Sequence, residues 1–419
     1  MVPAIVHFGV GNFRRAHQAM FVDRLLASGE SDWGICGVGV LPSDVRMRDA
    51  LASQEDLYTL VLKNPDGSTR AQVIGSVINY LFAPDDPAAV VDQLANPVTK
   101  IVSLTITEGG YVLPDTESTS APSAFRLIVD ALARRRAAGL VPFTVMSCDN
   151  LQDNGAIAAR VVVECARRDD DDLADWIEEN VAFPCSMVDR ITPITTDADR
   201  ALVREQFGVD DAWPVIAEPF AQWVLEDRFT DGRPALEKVG VQLVDDVRPY
   251  ELMKLRLLNA SHQALAYFGL LLGYDYAHEA AVDPLIQSLL RRYMTEARET
   301  LAPVPGIDLD EYETTLLERF ANAAIADTLE RLGMDSANRM NAFVLPVIAE
   351  ALASGWVPQA AVSIVAAWTR ARPQESADAA KAYPLLERLH EDRRFAAALG
   401  EVLRDLDGIG AVEVLRRLA

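Results

Sequence analysis

Apolar positions fall into two regimes along the chain. Up to about residue 246, short apolar runs alternate with amphipathic stretches. The runs at 4–10, 34–40, 100–105 and 143–147 predict buried strands. The stretches 14–26, 43–52, 87–94 and 123–138 predict the helices between them. Segments 57–63 and 72–82 predict an additional strand pair split by the turn Asn64-Pro-Asp-Gly67. Helices over 154–167, 169–180 and 197–206 follow, with strands over 186–191, 214–223 and 241–244. Alternation of this kind implies a mostly parallel sheet covered by helices on both faces.

From residue 247 the pattern turns helical almost without strands. Helical periodicity marks 284–300, 311–320, 325–332, 343–353, 360–370, 383–389, 395–406 and 411–418. The expected organisation is an α/β domain over 1–246 followed by an all-α domain over 247–419, and binding sites favour such junctions.

At the junction lies Tyr250-Glu-Leu-Met-Lys-Leu-Arg-Leu-Leu-Asn-Ala-Ser-His262, which opens an apolar run reaching Tyr274. A helix that is apolar nearly all round is a buried one. Lysine, asparagine and histidine are costly there unless paired or used. On an α-helical wheel Lys254, Asn259 and His262 fall at about 0°, 140° and 80°, inside one arc. One side of the helix therefore offers a proton acceptor, an amide and an imidazole. The alternative is structural: a snorkelling lysine, an asparagine on a neighbouring backbone and a core histidine. Lys254 and His262 lie two turns apart, so they share only a ligand spanning roughly 10 Å.

With 39 basic and 62 acidic residues the formal charge is −23, which argues against nucleic acid or an anionic membrane as a general partner. Cys36, Cys148, Cys165 and Cys185 form no CxxC pair, and the five histidines form no HExxH or HxxxH. Neither a structural zinc nor a disulfide framework is expected. The chain opens directly on a strand pattern, and no apolar stretch is long and clean enough to span a bilayer. A soluble, cytoplasmic protein is expected.

The first strand-to-helix turn reads Phe8-Gly9-Val10-Gly11-Asn12-Phe13. Gly-x-Gly suits a tight turn and close approach of a pyrophosphate, so a Rossmann-like N-terminal domain is expected. Arg14 occupies the third-glycine position of GxGxxG, and a glycine turn without ligand is the competing reading. Past the second strand, Asp44 either bonds the adenosine ribose or starts a helix. Arg46 and Arg48 close by keep NADP open beside NAD. Asn150 follows a parallel strand, where residues face the ligand crevice, or else caps the next helix. Tyr250-x-x-x-Lys254 imitates the spacing of short-chain dehydrogenases. It is taken as a decoy, because that family's glycine pattern and architecture differ.

Several stretches together resemble the polyol-specific long-chain dehydrogenase family, whose best-known members are mannitol 2-dehydrogenases. They are Gly9-Val-Gly-Asn-Phe-Arg-Arg-Ala-His-Gln18, Thr107-Glu-Gly-Gly-Tyr111, Ser147-Cys-Asp-Asn-Leu-Gln152, Val188-Asp-Arg-Ile-Thr-Pro193, Ala217-Glu-Pro-Phe-Ala-Gln-Trp223 and Lys254-Leu-Arg-Leu-Leu-Asn-Ala-Ser-His262. The resemblance implies a Rossmann-like domain, a helical C-terminal domain, a cleft between them and catalysis without a metal. It implies Lys254 as general base, Asn150 and Asn259 as holders of the reacting oxygen, and Glu251 as a proton relay. His262, Asp189, Arg331 and Arg339 match substrate-binding positions. Gly9, Gly11, Asn12, Phe13, Arg15, Asp44 and Glu108 are the candidate cofactor contacts. The family's usual Pro-Lys-Phe is replaced by Met340-Asn-Ala-Phe343.

Burial, Arg256 and the oxidised nicotinamide are expected to keep Lys254 neutral enough to act as a base. The expected activity is NAD(P)-dependent oxidoreduction of a sugar alcohol, D-mannitol and D-fructose leading, by a monomer. One rival is a hexuronate reductase using Arg331 or Arg339 on the substrate carboxylate. The other is a non-catalytic dinucleotide-binding sensor.

Overall fold

The computed structural model describes residues 1–111 and 123–419, without the side chain of Glu108. The chain divides into two compact units, 1–63 with 68–248, and 64–67 with 249–419. The division lies beside the expected boundary at 246/247, except that the turn Asn64–Gly67 groups with the helical unit.

In the first unit the strands are β1 (Val2–Phe8), β2 (Trp33–Gly39), β3 (Tyr58–Lys63), β4 (Thr69–Ile74), β5 (Val77–Phe82), β6 (Ile101–Leu104), β7 (Thr144–Ser147), β8 (Ser186–Asp189), β9 (Val215–Ala217), β10 (Gln222–Glu226) and β11 (Gln242–Val244). The main sheet is wholly parallel, in the order β5-β2-β1-β6-β7. Both its faces are buried. Ile5, Ile35, Ile101 and Met146 enter one core, while Val6, Phe8, Val38, Val102, Leu104 and Val145 enter the other. Strands buried on both faces read as unbroken apolar runs, which is why their sequences lack alternation. Two small sheets, β4-β3-β9 and β11-β10-β8, complete the unit.

Several expected elements divide. The helix over 14–26 becomes α1 (Asn12–Ala16) and α2 (Gln18–Ala27), broken at His17, whose φ of −116° and ψ of −92° are not helical. The strand over 72–82 becomes β4 and β5, in different sheets. Between them the Gly75 N–H donates to Asp23 and the Ser76 hydroxyl to the Ala19 carbonyl. The strand over 214–223 likewise becomes β9 and β10, separated at Pro219, which lacks the N–H a ladder needs. The helix over 325–332 shrinks to Leu329–Leu332, because Ala326 takes a left-handed φ of +49°.

The second unit is helical. Its central rod runs from Arg248–Met253 through a π-helical turn, Lys254–Asn259, into Ala260–Leu272, and ends at Gly273 with φ +84°. Around it lie Pro284–Arg298, Leu309–Phe320, Leu345–Ala353, Gln359–Ala371, Arg393–Gly408 and Ala411–Leu418, with shorter helices between. A second π turn, Met340–Val344, packs against the first. The sequence pattern had shown neither.

Candidate active site

The first unit contributes the ends of its parallel strands. β1 stops at Gly9, whose φ is +87°. A Cβ there would stand 2.8 Å from the Thr105 carbonyl carbon and closer still to its oxygen, so only glycine fits. At Gly11 a Cβ would meet nothing within 4 Å, which leaves open space at the start of α1. Asn12 donates to Pro193 O (3.3 Å) and Thr195 Oγ1 (3.0 Å). Its Oδ1 accepts from Arg15 Nη2 at 2.9 Å. Arg15 is fully buried, donates to the Trp213 carbonyl and lies over the Tyr58 ring, so its side chain braces the turn from beneath. Phe13 stacks on His17 with centroids 5.2 Å apart.

Asp44 precedes the helix Val45–Ala52, as one of the two expected readings had it. Its Oδ2 accepts the N–H groups of Val40 and Leu41, each at 2.9 Å, which closes the turn after β2. Among the described residues nothing donates to Oδ1. Arg48 is paired with Asp49 and Asp85. The expected Glu108 contact lies outside the described side chains, although its backbone forms a short helical turn, Glu108–Gly110.

Asn150 stands exposed beyond the end of β7. It does not cap the following helix, which starts at Asn154 behind Asp153. Its neighbour Asp149 had drawn no attention in the sequence, yet it organises the loop. The carboxylate accepts Ile106 N–H (3.0 Å), Thr107 N–H (2.9 Å) and Tyr111 O–H (2.7 Å). Burial, then the Asp149 charge, raises the Tyr111 phenol well above its usual pKa. Asn154 fixes the same strand end, donating to Asp149 O (3.0 Å) and Ser186 O (2.7 Å). Asp189 closes β8, buried and opposite Gln222 in the ladder.

In the second unit the π turn changes the geometry expected of the polar residues. Hydrogen bonds close from residue i to i+5, as in Ala260 N–H to Leu255 O. Residues five apart therefore stack. Lys254 and Asn259 fall on one face of the helix, as residues four apart do in an α-helix, instead of about 140° apart. His262 is three residues further, in the α-helical segment, with its ring 4.7 Å from that of Phe320. Glu251 and Lys254 are buried at 4% and 5% exposure. The Asn259 Oδ1 is buried, and no described group donates to it. Such an atom destabilises by about 1–3 kcal/mol unless a ligand satisfies it.

Arg256, expected to act on Lys254 through its charge, is itself paired. It makes a bidentate pair with Glu350 (2.6 and 2.7 Å) and donates to Thr300. Tyr250 donates to the Pro305 carbonyl at 2.7 Å, a structural task consistent with a decoy motif. Arg331 is engaged through Nε and Nη2 by the buried carboxylate of Asp327. Arg339 donates to Leu332 O (2.8 Å), which also accepts from Gln263, the residue after His262. The segment 331–339 is thus tied to the helix carrying Lys254. Leu329 reinforces this, since a Cβ on Gly269 would lie 2.5 Å from its Cδ1. The departure Met340-Asn-Ala-Phe343 falls inside the second π turn. Among the described residues no group of three His, Cys, Asp or Glu could hold a metal, and no helix is long and apolar enough to cross a membrane.

Known proteins share this arrangement. The family model of the mannitol dehydrogenase Rossmann domain matches residues 3–238, and that of the mannitol dehydrogenase C-terminal domain matches 246–403. A mannitol 2-dehydrogenase of Phaeosphaeria nodorum is 44% identical over 99% of this chain and 81% of its own length. One from Aspergillus fumigatus is 48% identical over 83% and 74%. Among solved structures, Pseudomonas fluorescens mannitol 2-dehydrogenase in ternary complex with NAD and D-mannitol gives a TM-score of 0.90 at 42% identity, covering 100% of this chain and 94% of that one. A substrate-free D-sorbitol dehydrogenase gives 0.87 at 34% identity, covering 99% and 95%. With both family models matched in order and the parallel sheet and helical unit in place, the chain belongs to the mannitol dehydrogenase family.

Proposed function

We propose that this protein is an NAD-dependent oxidoreductase that interconverts a sugar alcohol and its ketose, with D-mannitol and D-fructose the leading pair. The observation that supports the reading is the buried π turn, whose geometry puts residues five apart, such as Lys254 and Asn259, on one face. A secondary alcohol becomes a ketone by losing its hydroxyl proton to a base and its carbinol hydride to an acceptor. Lys254 Nζ takes the proton, and Glu251, one turn earlier, passes it on. Burial favours the neutral amine this requires. The amides of Asn150 and Asn259 hold the developing alkoxide, worth about 3 kcal/mol each if they act as oxyanion-hole donors. His262, Asp189, Arg331 and Arg339 contact the remaining hydroxyls.

The first unit fits a dinucleotide. The Gly9 turn admits no side chain, and the open space at Gly11 leaves room for a pyrophosphate. Gly9, Gly11, Asn12, Phe13, Arg15, Asp44 and Glu108 would hold it, Arg15 through the turn it braces. When bound, the nicotinamide supplies the hydride acceptor. The second carboxylate oxygen of Asp44 suits a ribose hydroxyl and opposes a 2′-phosphate, which favours NAD over NADP. The Arg331–Asp327 pair engages one of the two arginines that a uronate carboxylate could use, which weighs against that rival. The acidic surface, at net charge −23, fits a soluble cytoplasmic monomer without nucleic-acid or membrane partners.

The test follows nicotinamide absorbance with NADH and NADPH against D-fructose, D-xylulose, fructuronate and tagaturonate. D-Fructose with NADH is expected to be the preferred combination, and Lys254→Ala to lose nearly all turnover while still binding NADH. Turnover confined to the uronates, or wild-type rates in Lys254→Ala, overturns the reading.

A further inference from the structure

Four arginines are buried among the described residues of the first unit. Three donate to main-chain carbonyls: Arg15 to Trp213, Arg135 to Leu94, Asn96, Thr99 and Val141, and Arg190 to Ala16 and Glu218. The fourth, Arg14, does not. It is 3% exposed and its Nη2 is buried with nothing to accept from it. Among the described residues no carboxylate pairs with it. Its strongest electrostatic neighbours are Cys148 and Tyr58. Burial holds the Cys148 thiol up at about 11 and raises the Tyr58 phenol, so both are neutral near pH 7. Arg14 also opposes protonation of His7 and His17. A guanidinium buried among neutral groups is costly and calls for a use.

Its place suggests that use. Arg14 sits on α1, three residues past Gly11. His7 lies in β1, and Cys148 follows β7, two residues before Asn150. From β1 the sheet runs to β2 on one side and β6 on the other, so β1 and β6 form the switch point. Ligands of open α/β sheets bind outside the carboxyl ends of the strands at that point. Arg14 therefore lies beneath the crevice, on the side of the sheet that carries α1.

Taking the chain as NAD-dependent, we propose that Arg14 discriminates between the two redox forms of the cofactor. Its fixed positive charge disfavours the positively charged oxidised nicotinamide and leaves the neutral reduced ring unopposed. The ribose, pyrophosphate and adenine are common to both forms, so only the ratio of the two affinities reports this charge. At an effective dielectric of about 20, one unit charge below the ring's end of the crevice is expected to alter that ratio on the order of tenfold.

Quenching of protein fluorescence gives dissociation constants for NADH and NAD+ at pH 7, without substrate, in wild type, Arg14→Lys and Arg14→Gln. Thermal unfolding of each free protein verifies its fold. Kd(NAD+)/Kd(NADH) is expected to be at least about tenfold in wild type, to survive in Arg14→Lys, and to fall about tenfold in Arg14→Gln. An unchanged ratio in folded Arg14→Gln overturns the proposal. If neither variant folds, the wild-type ratio decides: a value below about tenfold overturns it, and a value at or above that supports it. A wild type that binds neither form fails the NAD-dependent reading itself, a separate outcome.

Discussion

Gly9 and Gly11 are two residues apart in one turn, yet the structure assigns them different failures. In Gly9→Ala the new methyl meets the Thr105 carbonyl, 2.8 Å from its carbon, at φ +87°. An L-residue in that region costs about 1–2 kcal/mol. The clash adds to this, because neither partner is free to move. Gly9 N–H donates to Val38 O (3.2 Å), Thr105 N–H to Phe8 O (3.0 Å), and Thr105 Oγ1 to Gly9 O (2.7 Å). Displacing the turn forfeits two or more of these bonds at about 1 kcal/mol each, so the expected destabilisation is about 3–5 kcal/mol. Gly11→Ala has a φ of −91°, and its methyl meets nothing. Its stability should stay within about 0.5 kcal/mol of wild type. The same methyl fills the space left for a pyrophosphate, so NADH affinity should fall at least about tenfold, the equivalent of 1.4 kcal/mol. Urea unfolding followed by circular dichroism reads the first effect, and fluorescence titration with NADH the second. Wild-type stability in Gly9→Ala, or wild-type NADH affinity in Gly11→Ala, refutes the reasoning.

Two further outcomes follow from charged groups. His17 is buried with a pKa pulled down to about 3, mainly by desolvation. Below its ordinary value the unfolded chain takes up a proton that the folded chain does not, so stability is lost as pH falls from about 6.5 towards 3. The expected slope is about 1.4 kcal/mol per pH unit from His17, with His7, also lowered by burial, contributing in the same direction. Urea unfolding between pH 7 and 4 should show a shallower loss in His17→Gln than in wild type; equal slopes would exclude His17 as the source. Glu350→Gln should leave the Arg256 charge uncompensated two residues from Lys254. The base limb of the kcat/KM profile then moves to lower pH, and an unmoved limb would show that Arg256 does not reach Lys254 electrostatically.

The parts of the fold that a local pattern determines were legible. Apolar runs buried on both faces announced the parallel sheet, and the Gly9-Val-Gly11 sequence announced the tight turn from β1 into α1. Helical periodicity announced the second unit. Where a strand goes after it forms is a different question. Nothing in the run 72–82 or 214–223 says that its halves join different sheets; only Gly75 and Pro219 hinted at a break. The spacing Lys254-x4-Asn259 was visible, but not its geometry. A segment that is apolar all round has no phase, so an extra residue in the turn leaves no trace in its periodicity. Ion pairs divide in the same way. Asp327 and Arg331, four apart on a chain, were within reach of sequence reasoning. Arg256 and Glu350, separated by 94 residues, were not. Asp149 escaped because a carboxylate serving backbone N–H groups has no motif of its own.

The π turn also bears on how such a site changes in length. It equals one residue inserted into a continuous α-helix. The flanking segments 248–253 and 260–272 keep the packing faces they would have in a helix one residue shorter. A single-codon deletion within 255–258 would therefore leave both hydrophobic registers in phase, with Lys254 and Asn259 four residues apart and still on one face of a regular α-helix. The reverse insertion would widen the turn by one residue without separating them. Substitution cannot make that move, because every side chain would keep its angular position. Variation among relatives at this turn should accordingly be read as changes in length before changes in identity.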